Sequence, residues 1–319
     1  MHSNTMRVRS VCIIGGTGFL GGHVVQQLAA RGIRVLVPAR RRERAKGLIV
    51  LPTVEVINAD VHDPQTLERM VAGTDAVISL AGILHQRHAG DFARVHTELP
   101  RKIVDACRAR GVRRLVHVSA LKAMHDAPSE YLRSKADGEQ QIRVAQASAI
   151  RTTIFRPSVI FGPDDHFLNL FARLAQALPA IVLACPTARF QPVYVEDVAR
   201  AIVESLELAH TYDRNIELCG PTTYTLQELV KYVCAVRQIE RPILPLNDEM
   251  SFAMAWLMEW MPLKLMSRDN YNSMKVDSVC DCPFPVEFGF APSAMEAVVP
   301  LYLRDETPRS RYRLFRFRH

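Results

Sequence analysis

The stretch VRSVCIIGGTGFLGG, residues 8–22, decides the fold of this chain. Its apolar run, Val8–Ile14, ends in a glycine-rich turn, and a helical stretch, His23–Ala30, follows. A short apolar run that leads through glycines into a helix is typical of a buried strand in a βαβ unit. The opening of the chain therefore predicts the first strand and first helix of a parallel α/β sheet.

The glycines of this turn have a spacing that suits a phosphate group. Gly15, Gly18 and Gly21 form a GxxGxxG pattern between the strand and the helix. Such glycines allow a tight turn, let the backbone approach a pyrophosphate and let the helix lie close to the sheet. The phosphates would then meet the positive end of the helix dipole. The alternative is a tight turn without a ligand, but the strand–turn–helix context favours a dinucleotide site.

The alternation of strand and helix continues through the first half of the chain. Further strands are predicted at Val35–Val37, Val54–Asn58, Asp75–Leu80, Arg114–Ser119 and Thr152–Phe155. Helical segments lie between them; the longest is predicted at Phe92–Arg110, and another at Tyr131–Ala145. Strands that alternate with helices require right-handed crossovers between parallel strands. We predict an α/β fold with a doubly wound parallel sheet of the Rossmann type.

The pattern also suggests two domains. After Gly162 the alternation fades, and segments 189–195 and 197–208 read as a strand and a helix that return to the first domain. We expect a dinucleotide-binding domain at residues 1–160, with 189–208 returning to it. Residues 161–319 would form a smaller C-terminal α/β domain of the substrate-binding type and a basic tail.

Basic residues at the end of the second strand bear on the choice of dinucleotide. Arg40, Arg41 and Arg42 follow this strand, and no acid precedes Glu43. An NAD site usually has an acid here for the ribose 2′-hydroxyl, whereas arginine binds the 2′-phosphate of NADP through paired hydrogen bonds. The alternative is a solvated run of charges at a helix start. We predict NADP(H) rather than NAD(H).

The distribution of charge argues against nucleic acid as a partner. The net charge of +7 comes from the two ends of the chain. Residues 1–50 carry nine basic and one acidic residue, residues 301–319 carry six and two, and the segment between them carries 25 and 30. A protein that binds nucleic acid usually has a basic patch across its folded body.

Cysteine usage and the N-terminus bear on the compartment. The seven cysteines are scattered, and the lone CxC of Cys280 and Cys282 has no second pair at metal-ligand spacing, so no metal site is predicted. Scattered thiols are typical of a reducing compartment. The N-terminus has no apolar signal region, and no run is long enough to span a bilayer. We expect a cytoplasmic protein, free or attached to the inner face of the membrane, and not a secreted one.

Several motifs resemble those of one enzyme superfamily. They are NADVHD (58–63), VHVSA (116–120), YLRSK (131–135), RPSVIFGP (156–163) and QPVYVEDVARAI (191–202). With the glycine turn, they resemble the short-chain dehydrogenase/reductase superfamily in its extended or atypical branch. SRDNYNSMKVD (267–277) and the longer FRPSVIFGPDDHFLNLF (155–171) are similar to the dehydrogenase-like accessory subunit of respiratory complex I and its bacterial relatives.

The resemblance implies a cofactor site and its residues. Asp60 and Val61 would flank the adenine, and Pro157 to Ile160 would pass the nicotinamide. The whole implied set is Gly15, Thr17, Gly18, Phe19, Leu20, Gly21, Arg40, Arg41, Asp60, Val61, Leu80, Ala81, Gly82, Val118, Ser119, Tyr131, Lys135, Pro157, Val159 and Ile160.

Tyr131 and Lys135 are the candidate catalytic pair, with Ser119. Spaced i, i+4, the pair shares one helix face. A nearby ammonium lowers the pKa of a tyrosine, which can then exchange a proton while the nicotinamide exchanges hydride. The lysine can also hold the ribose hydroxyls without any turnover.

Two departures weaken the resemblance to active members of the superfamily. Those members carry a substrate-polarising hydroxyl slightly beyond the first serine, where this chain has Ala120 and Leu121. Where they often have an asparagine in the long helix, this chain has His96 beside Thr97. The leading hypothesis is therefore a protein that binds NADP(H) in a structural, assembly or accessory role beside respiratory complex I or quinone metabolism. The alternative is an active NADPH-dependent reductase or epimerase on a quinone-like, isoprenoid-like or nucleotide-sugar substrate.

Two further segments bear on partners. Met250–Met261, MSFAMAWLMEWM, is apolar on all sides and too short to span a bilayer, so we expect a buried helix. The alternatives are a wall of a hydrophobic substrate pocket or a docking surface for a membrane or a respiratory or quinone partner protein. In the tail, residues 307–319, arginines alternate with aromatic residues. Lipid or protein docking outranks nucleic acid there, and a solvated tail is the alternative.

Overall fold

The chain folds around a seven-stranded parallel sheet. The structure is a computed structural model that describes residues 7–261 and 265–304. The strands are β1 (Ser10–Ile14), β2 (Arg34–Ala39), β3 (Val54–Asn58), β4 (Ala76–Ser79), β5 (Arg114–Val118), β6 (Arg151–Pro157), β7 (Ile160–Phe161), β8 (Ile181–Leu183), β9 (Arg189–Phe190), β10 (Val193–Tyr194), β11 (Arg214–Leu218), β12 (Tyr224–Thr225) and β13 (Ile243–Pro245). The central sheet has the order β3-β2-β1-β4-β5-β6-β11, and all its pairings are parallel.

Helices cover both faces of this sheet. They are α1 (Phe19–Ala30), α2 (Lys46–Ile49), α3 (Pro64–Val71), α4 (Leu99–Arg110), α5 (Glu130–Val144), α6 (Leu168–Ala177), α7 (Val195–Ser205), α8 (Leu226–Val236), α9 (Asp248–Glu259), α10 (Arg268–Ser273) and α11 (Met295–Leu303). A π-helical turn, Ala93–Glu98, leads into α4. Every residue of β1, β4 and β5 is buried, as expected for parallel strands covered on both faces. The predicted doubly wound α/β fold is confirmed.

Local signals placed several helix ends correctly. Asp63 precedes Pro64 and accepts a hydrogen bond from the Thr66 N–H at 2.9 Å, which starts α3. Gly111 ends α4 in the left-handed conformation, with φ of 69°. These are local interactions, and for that reason the sequence alone could indicate them.

The second half of the chain departs from the strand prediction. The predicted strand at 189–195 does not join the central sheet: it divides at Pro192 into β9, which pairs with β12, and β10, which pairs with β7. Proline cannot donate to a strand ladder, so it interrupts the strand. The seventh strand of the central sheet is instead β11, which sequence reasoning missed. The predicted helix is present as α7, and it packs against α1 in the main core.

The expectation that the segment Met250–Met261 forms a buried helix is wrong. Of α9, only Ser251 and Ala255 are buried, and Trp256 and Trp260 are 49% and 78% exposed. The helix packs through its smaller and more flexible residues, with Ala255, Met254 and Met258 next to Tyr271 of α10. Composition indicated an apolar helix, but the neighbouring elements cover only one side of it.

Two cysteines depart from the interpretation of the cysteines as scattered thiols. Cys219, which follows β11, forms a disulfide bond with Cys280, while Cys12, Cys107 and Cys234 are buried free thiols. The sequence did not indicate this pairing because the two residues are 61 positions apart.

None of the helices in the described part of the chain is long and apolar enough to cross a membrane. The tail, residues 307–319, lies outside the described residues, so the prediction made for it is not addressed by the structure.

Candidate functional site

The site begins at the glycine turn, where the strand order of the sheet reverses between β1 and β4. Gly15 has φ of 89°, and a Cβ there would lie 2.8 Å from the backbone nitrogen of Ala81. A Cβ on Gly21 would overlap the carbonyl oxygen of Gly15. Only glycine fits these two positions, because the turn is tight and the helix lies directly against it.

The start of α1 is open towards the same crevice. Gly18 caps the helix, and no side chain satisfies the N–H groups of the first turn. Thr17 and Gly18 are exposed, while Phe19 and Leu20 are half-buried. Free N–H groups and the helix dipole favour a phosphate at this position, so the turn fits the pyrophosphate of a dinucleotide.

The residues expected to contact the adenosine half of the dinucleotide follow β2 and β3, whose ends lie next to each other. The N–H of Ala59 donates to the carbonyl of Ala39 at 3.0 Å, which holds the two strand ends together. Arg40 and Arg41 leave one end, and Asp60 and Val61 leave the other. Both arginine side chains are exposed, and within the described part of the chain neither guanidinium has a hydrogen-bonded or ionic partner. They are therefore available for an external anion.

The ends of β4, β5 and β6 form the other half of the crevice. Leu80 donates its N–H to the Ile14 carbonyl at 2.8 Å, and Ser119 donates its N–H to the Phe155 carbonyl at 2.8 Å. Leu80, Ala81 and Gly82 follow β4, Val118 and Ser119 end β5, and Pro157, Val159 and Ile160 end β6 and begin β7. The hydroxyl of Ser119 is buried without a hydrogen-bond partner among the described residues. This polar atom faces no protein group, so a bound molecule could satisfy it.

Tyr131 and Lys135 lie in the first turns of α5, beside these strand ends. The buried Lys135 Nζ donates to the Val118 carbonyl at 3.2 Å, and a Cβ on Gly82 would lie 3.3 Å from it. The Tyr131 ring packs against Phe92 and His96, with ring centroids 5.9 and 5.6 Å away. No described residue forms a hydrogen bond with the Tyr131 hydroxyl. The structure thus brings Ser119, Tyr131 and Lys135 together at the carboxyl ends of the central strands.

The protonation of this pair differs from the sequence-based expectation. Burial lowers the pKa of Lys135 to about 8. Burial and the nearby Asp269 carboxylate raise the pKa of Tyr131 to about 12, whereas the sequence suggested that the ammonium would lower it. Removal from water and the negative charge of Asp269 both disfavour the tyrosinate. Tyr131 is therefore a protonated hydroxyl at neutral pH, which can donate a proton.

His96 is a site residue that sequence reasoning noted only as a departure from a pattern. Its Nδ1 lies 2.8 Å from the Ser134 hydroxyl, and that hydroxyl donates to the Tyr131 carbonyl at 2.7 Å. Its Nε2 accepts from the N–H of Ile83 at 3.1 Å. Since Ser134 already donates its proton to Tyr131, His96 must donate from Nδ1 and accept at Nε2. The ring links the loop after β4 to the helix that carries Tyr131.

The π-helical turn is what places this histidine. A π turn shifts the residues that follow it around the helix axis, and such turns occur often at functional sites. Burial, then the charges of Lys135 and His117, lower the pKa of His96 to about 2, so the ring stays neutral. No spacing rule in the sequence signals a π turn, which explains why the role of His96 was not predicted.

Asp269 is a second residue that the sequence did not single out for a role. Its carboxylate accepts the backbone N–H of Glu130 at 2.6 Å and that of Tyr131 at 3.1 Å, at the start of α5. A carboxylate is favourable at a helix N-terminus. Asp269 belongs to the stretch SRDNYNSMKVD, so the only available signal was the resemblance of that stretch to known proteins.

Comparisons with known proteins agree with this geometry. The chain is 37% identical over 229 residues to the mitochondrial NADH dehydrogenase (ubiquinone) 1 alpha subcomplex subunit 9 of Mus musculus, which covers 69% of this chain and 59% of that protein. It is 38% identical over 194 residues to a ceramide reductase of Caulobacter vibrioides, over 60% of this chain and 59% of the relative. The chain thus spans about three fifths of the length of each relative.

Solved structures share the fold at lower identity. An NADPH-dependent quinone oxidoreductase from Escherichia coli superposes with a TM-score of 0.71 at 18% identity, over 92% of this chain and 99% of the other. A UDP-glucose 4-epimerase from Thermotoga maritima gives 0.72 at 17% identity, over 92% and 97%. A model of the NAD dependent epimerase/dehydratase family matches residues 11–217. The glycine turn, the Tyr131–Lys135 pair and this match lead to one conclusion: the chain belongs to the NAD dependent epimerase/dehydratase family.

Proposed function

We propose that this protein is an NADP(H)-dependent reductase that acts on a carbonyl group of a hydrophobic substrate. The observation that carries the proposal is the position of Tyr131. Its hydroxyl has no hydrogen-bond partner among the described residues and lies one helical turn from the buried Lys135, beside the end of β5. A reductase needs a proton donor at this place, whereas a protein that only binds the cofactor does not.

Arg40 and Arg41 support NADP(H) as the cofactor. They end the strand next to the glycine turn, and no acid is present there to accept the ribose 2′-hydroxyl of NAD. Their guanidinium groups can donate two hydrogen bonds each to a phosphate. The glycine turn and the start of α1 would hold the pyrophosphate, and Lys135 would donate to the nearby ribose hydroxyls.

The residues of this chain support reduction by a simple division of roles. The cofactor, when bound, supplies a hydride to the carbonyl carbon. Tyr131 donates its proton to the carbonyl oxygen, so that the ketone becomes an alcohol. The loss of this proton leaves a tyrosinate, which the nearby Lys135 ammonium stabilises, and the Ser119 hydroxyl donates to the same carbonyl oxygen. Because Ala120 and Leu121 are buried and lack hydroxyls, Ser119 is the hydroxyl available at the end of β5.

Two relatives support a hydrophobic substrate. One is the ceramide reductase, and the other is a 2-alkyl-3-oxoalkanoate reductase of Stenotrophomonas maltophilia, 32% identical over 188 residues. Both names describe molecules with long or alkylated carbon chains. The apolar residues that pack around Tyr131, which are Ala120, Ala127 and Leu132, suit such a chain better than a sugar.

The variant Tyr131→Phe tests the proposed chemistry. NADPH oxidation should be followed with a panel of carbonyl probes: a 2-alkyl-3-oxoalkanoate, a ketone analogue of ceramide and a short-chain ubiquinone. We expect one probe to be reduced, and we expect the variant to lose 10²- to 10⁴-fold in kcat, because positioned proton transfer contributes that much. The Kd for NADPH should change by less than about threefold, since the hydroxyl alone is removed.

Tyr232→Phe is the matched control, because Tyr232 packs in the core of the smaller domain, away from the strand ends. It should keep full activity. Equal kcat in wild type and Tyr131→Phe would rule out Tyr131 as the proton donor.

A second candidate is an accessory role beside respiratory complex I. The likeness to the mouse NADH dehydrogenase subunit favours it, because 37% identity extends over 69% of this chain. In that case tight NADPH binding would accompany no turnover of any probe. The protein would instead co-purify with NADH dehydrogenase activity from membranes of its source cells, and Tyr131→Phe would leave this association unchanged.

A further inference from the structure

The side of α9 that faces outward carries six of the 17 large hydrophobic residues that are exposed on the described surface. Its residues Met250, Phe252, Trp256, Leu257, Trp260 and Met261 are 43–78% exposed, and we call them the α9 face. Residues advance about 100° per position around a helix. On that spacing these six residues, with Ala253, cover half of the helix circumference, and the inner half is centred on the buried Ser251 and Ala255.

Polar groups of the helix point away from this face or lie at its start. Asp248 accepts a hydrogen bond from the Tyr271 hydroxyl at 2.7 Å, and Glu259 pairs with Arg268 at 2.8 Å. Glu249 lies in the first turn, before the apolar residues begin. From Met250 onwards, the outward half of the helix carries no charged side chain.

Two neighbouring strands extend the apolar surface. Val182 of β8 and Leu244 of β13 are 48% and 51% exposed and lie at paired positions. The end of β8 is joined to α9, because the Ser251 hydroxyl accepts the N–H of Cys185 at 3.1 Å. A concentration of exposed apolar residues of this kind marks an interaction site.

We propose that the α9 face docks this protein onto a lipid bilayer. Tryptophan prefers the boundary between headgroups and acyl chains, and a helix with a wholly apolar face can lie in that plane without spanning. Protein interfaces carry about one hydrogen bond per 100–200 Å², and on this face only the two indole N–H groups of Trp256 and Trp260 can form them. The bilayer is the partner that its chemistry fits.

The charge at the end of the chain supports lipid over a second copy. Residues 305–319 contain five arginines and two acids, and they follow α11 directly. The carbonyl of Leu303, near the end of α11, accepts from Arg237 at 2.9 Å, just before the segment that leads to β13. The end of α11 thus lies beside the segment that leads to β13, one of the two strands that extend the apolar surface. The positive charge of the tail attracts anionic lipid and would repel a second copy of itself.

The docked orientation would bring the bilayer close to the candidate site. α10 packs against α9 through Tyr271 and holds the start of α5 through Asp269. Tyr131 therefore lies one helix away from the docking face. This inference does not depend on the proposed reductase activity, because it uses neither the cofactor nor the Tyr131–Lys135 pair.

The two tryptophans of the chain, Trp256 and Trp260, are both in the α9 face and report on it alone. The full chain should be titrated with vesicles of phosphatidylcholine and phosphatidylglycerol, without NADPH. We expect a blue shift of the tryptophan emission and quenching when the lipids carry bromine in their acyl chains. The full chain should bind pure phosphatidylcholine vesicles at least tenfold more weakly, because these vesicles carry no net negative charge. A chain truncated after Thr307 should bind the anionic vesicles at least tenfold more weakly, because it has lost the arginines of the tail.

The double variant Trp256→Ser/Trp260→Ser should lower co-sedimentation with the anionic vesicles at least tenfold. The control Val50→Ser/Val286→Ser removes two equally exposed apolar residues outside the face, which are 65% and 84% exposed, and should sediment like wild type. Unchanged emission with both vesicle types would overturn the proposal. A second result would also overturn it: wild type is a dimer that does not bind vesicles, and the double tryptophan variant is a monomer. The α9 face would then join two copies of the chain.

Discussion

At the scale of single residues, Arg40 is the side chain that should decide between the two dinucleotides. It is exposed, follows β2 and has no ionic partner in the described part of the chain. A phosphate on the ribose would gain a charge-assisted hydrogen bond from it, while a ribose hydroxyl would gain little. We therefore expect any discrimination between NADPH and NADH to depend on this guanidinium and on its neighbour Arg41.

Arg40→Ala should raise the Kd for NADPH by about 10- to 100-fold and change the Kd for NADH by less than about threefold. Hydrogen bonds to charged groups contribute about 1.5–3 kcal/mol, which corresponds to that range. Isothermal titration with each dinucleotide measures both constants. Arg113 is an exposed arginine that precedes β5, at the amino ends of the strands. Arg113→Ala should therefore leave both constants unchanged. Equal losses for the two cofactors in Arg40→Ala would contradict the assignment.

At the scale of elements, the site depends on how closely α5 approaches the π-helical turn. A Cβ on Gly138 of α5 would overlap the carbonyl oxygen of His96. This contact lets His96 reach both Ser134 and the N–H of Ile83. The two segments are therefore one rigid unit, and the glycine is required by the close approach rather than by its backbone angles.

Gly138→Ala should destabilise the protein by about 1–3 kcal/mol, as expected for overpacking in a core. It should also weaken NADPH binding, because the π turn must shift away from Lys135 and Gly82. Chemical denaturation and titration with NADPH measure the two effects. Gly47→Ala is the control: nothing lies within 4 Å of its added Cβ, so it should be neutral or slightly stabilising. A fully stable Gly138→Ala protein would show that the π turn moves without cost.

At the scale of the whole molecule, buried neutral histidines make folding depend on pH. Burial and Lys135 lower the pKa of His117 to about 3, and His96 is lowered to about 2. Both values lie below the ordinary histidine pKa of 6.5, so the unfolded chain takes up protons first as the pH falls. The stability that each histidine supports is present above pH 6.5 and is lost progressively below it.

Between pH 6 and pH 5, each of these histidines should lower the free energy of unfolding by about 1 kcal/mol. His117→Asn should reduce the slope of stability against pH by that amount, whatever its effect on stability at pH 7. Urea denaturation at several pH values measures the slope. His88→Asn alters an exposed histidine and should keep most of the wild-type slope. An unchanged slope in His117→Asn would mean that His117 is charged in the folded protein.

Features that depend on residues close together in the sequence could be predicted, and features that depend on residues far apart in the sequence could not. The six strands of the first half were predicted, because the hydrophobic runs that mark them act within a few positions. Strand β11 was missed because it is far in sequence from its partner β6. Ser119, Tyr131 and Lys135 could be proposed from motifs, but the link of His96 to Ile83 and Ser134 depends on a π turn that no local pattern indicates.

The sequence by itself determined the glycine turn, the parallel sheet and the positions of six of its seven strands. These features follow from steric limits at Gly15 and Gly21 and from local hydrophobic patterns. Tertiary structure decided which side of the apolar α9 is covered, which cysteines meet and that Tyr131 keeps its proton. The physical reason is that burial, electrostatic surroundings and pairing are set by residues distant in sequence, so they exist only after the chain has packed.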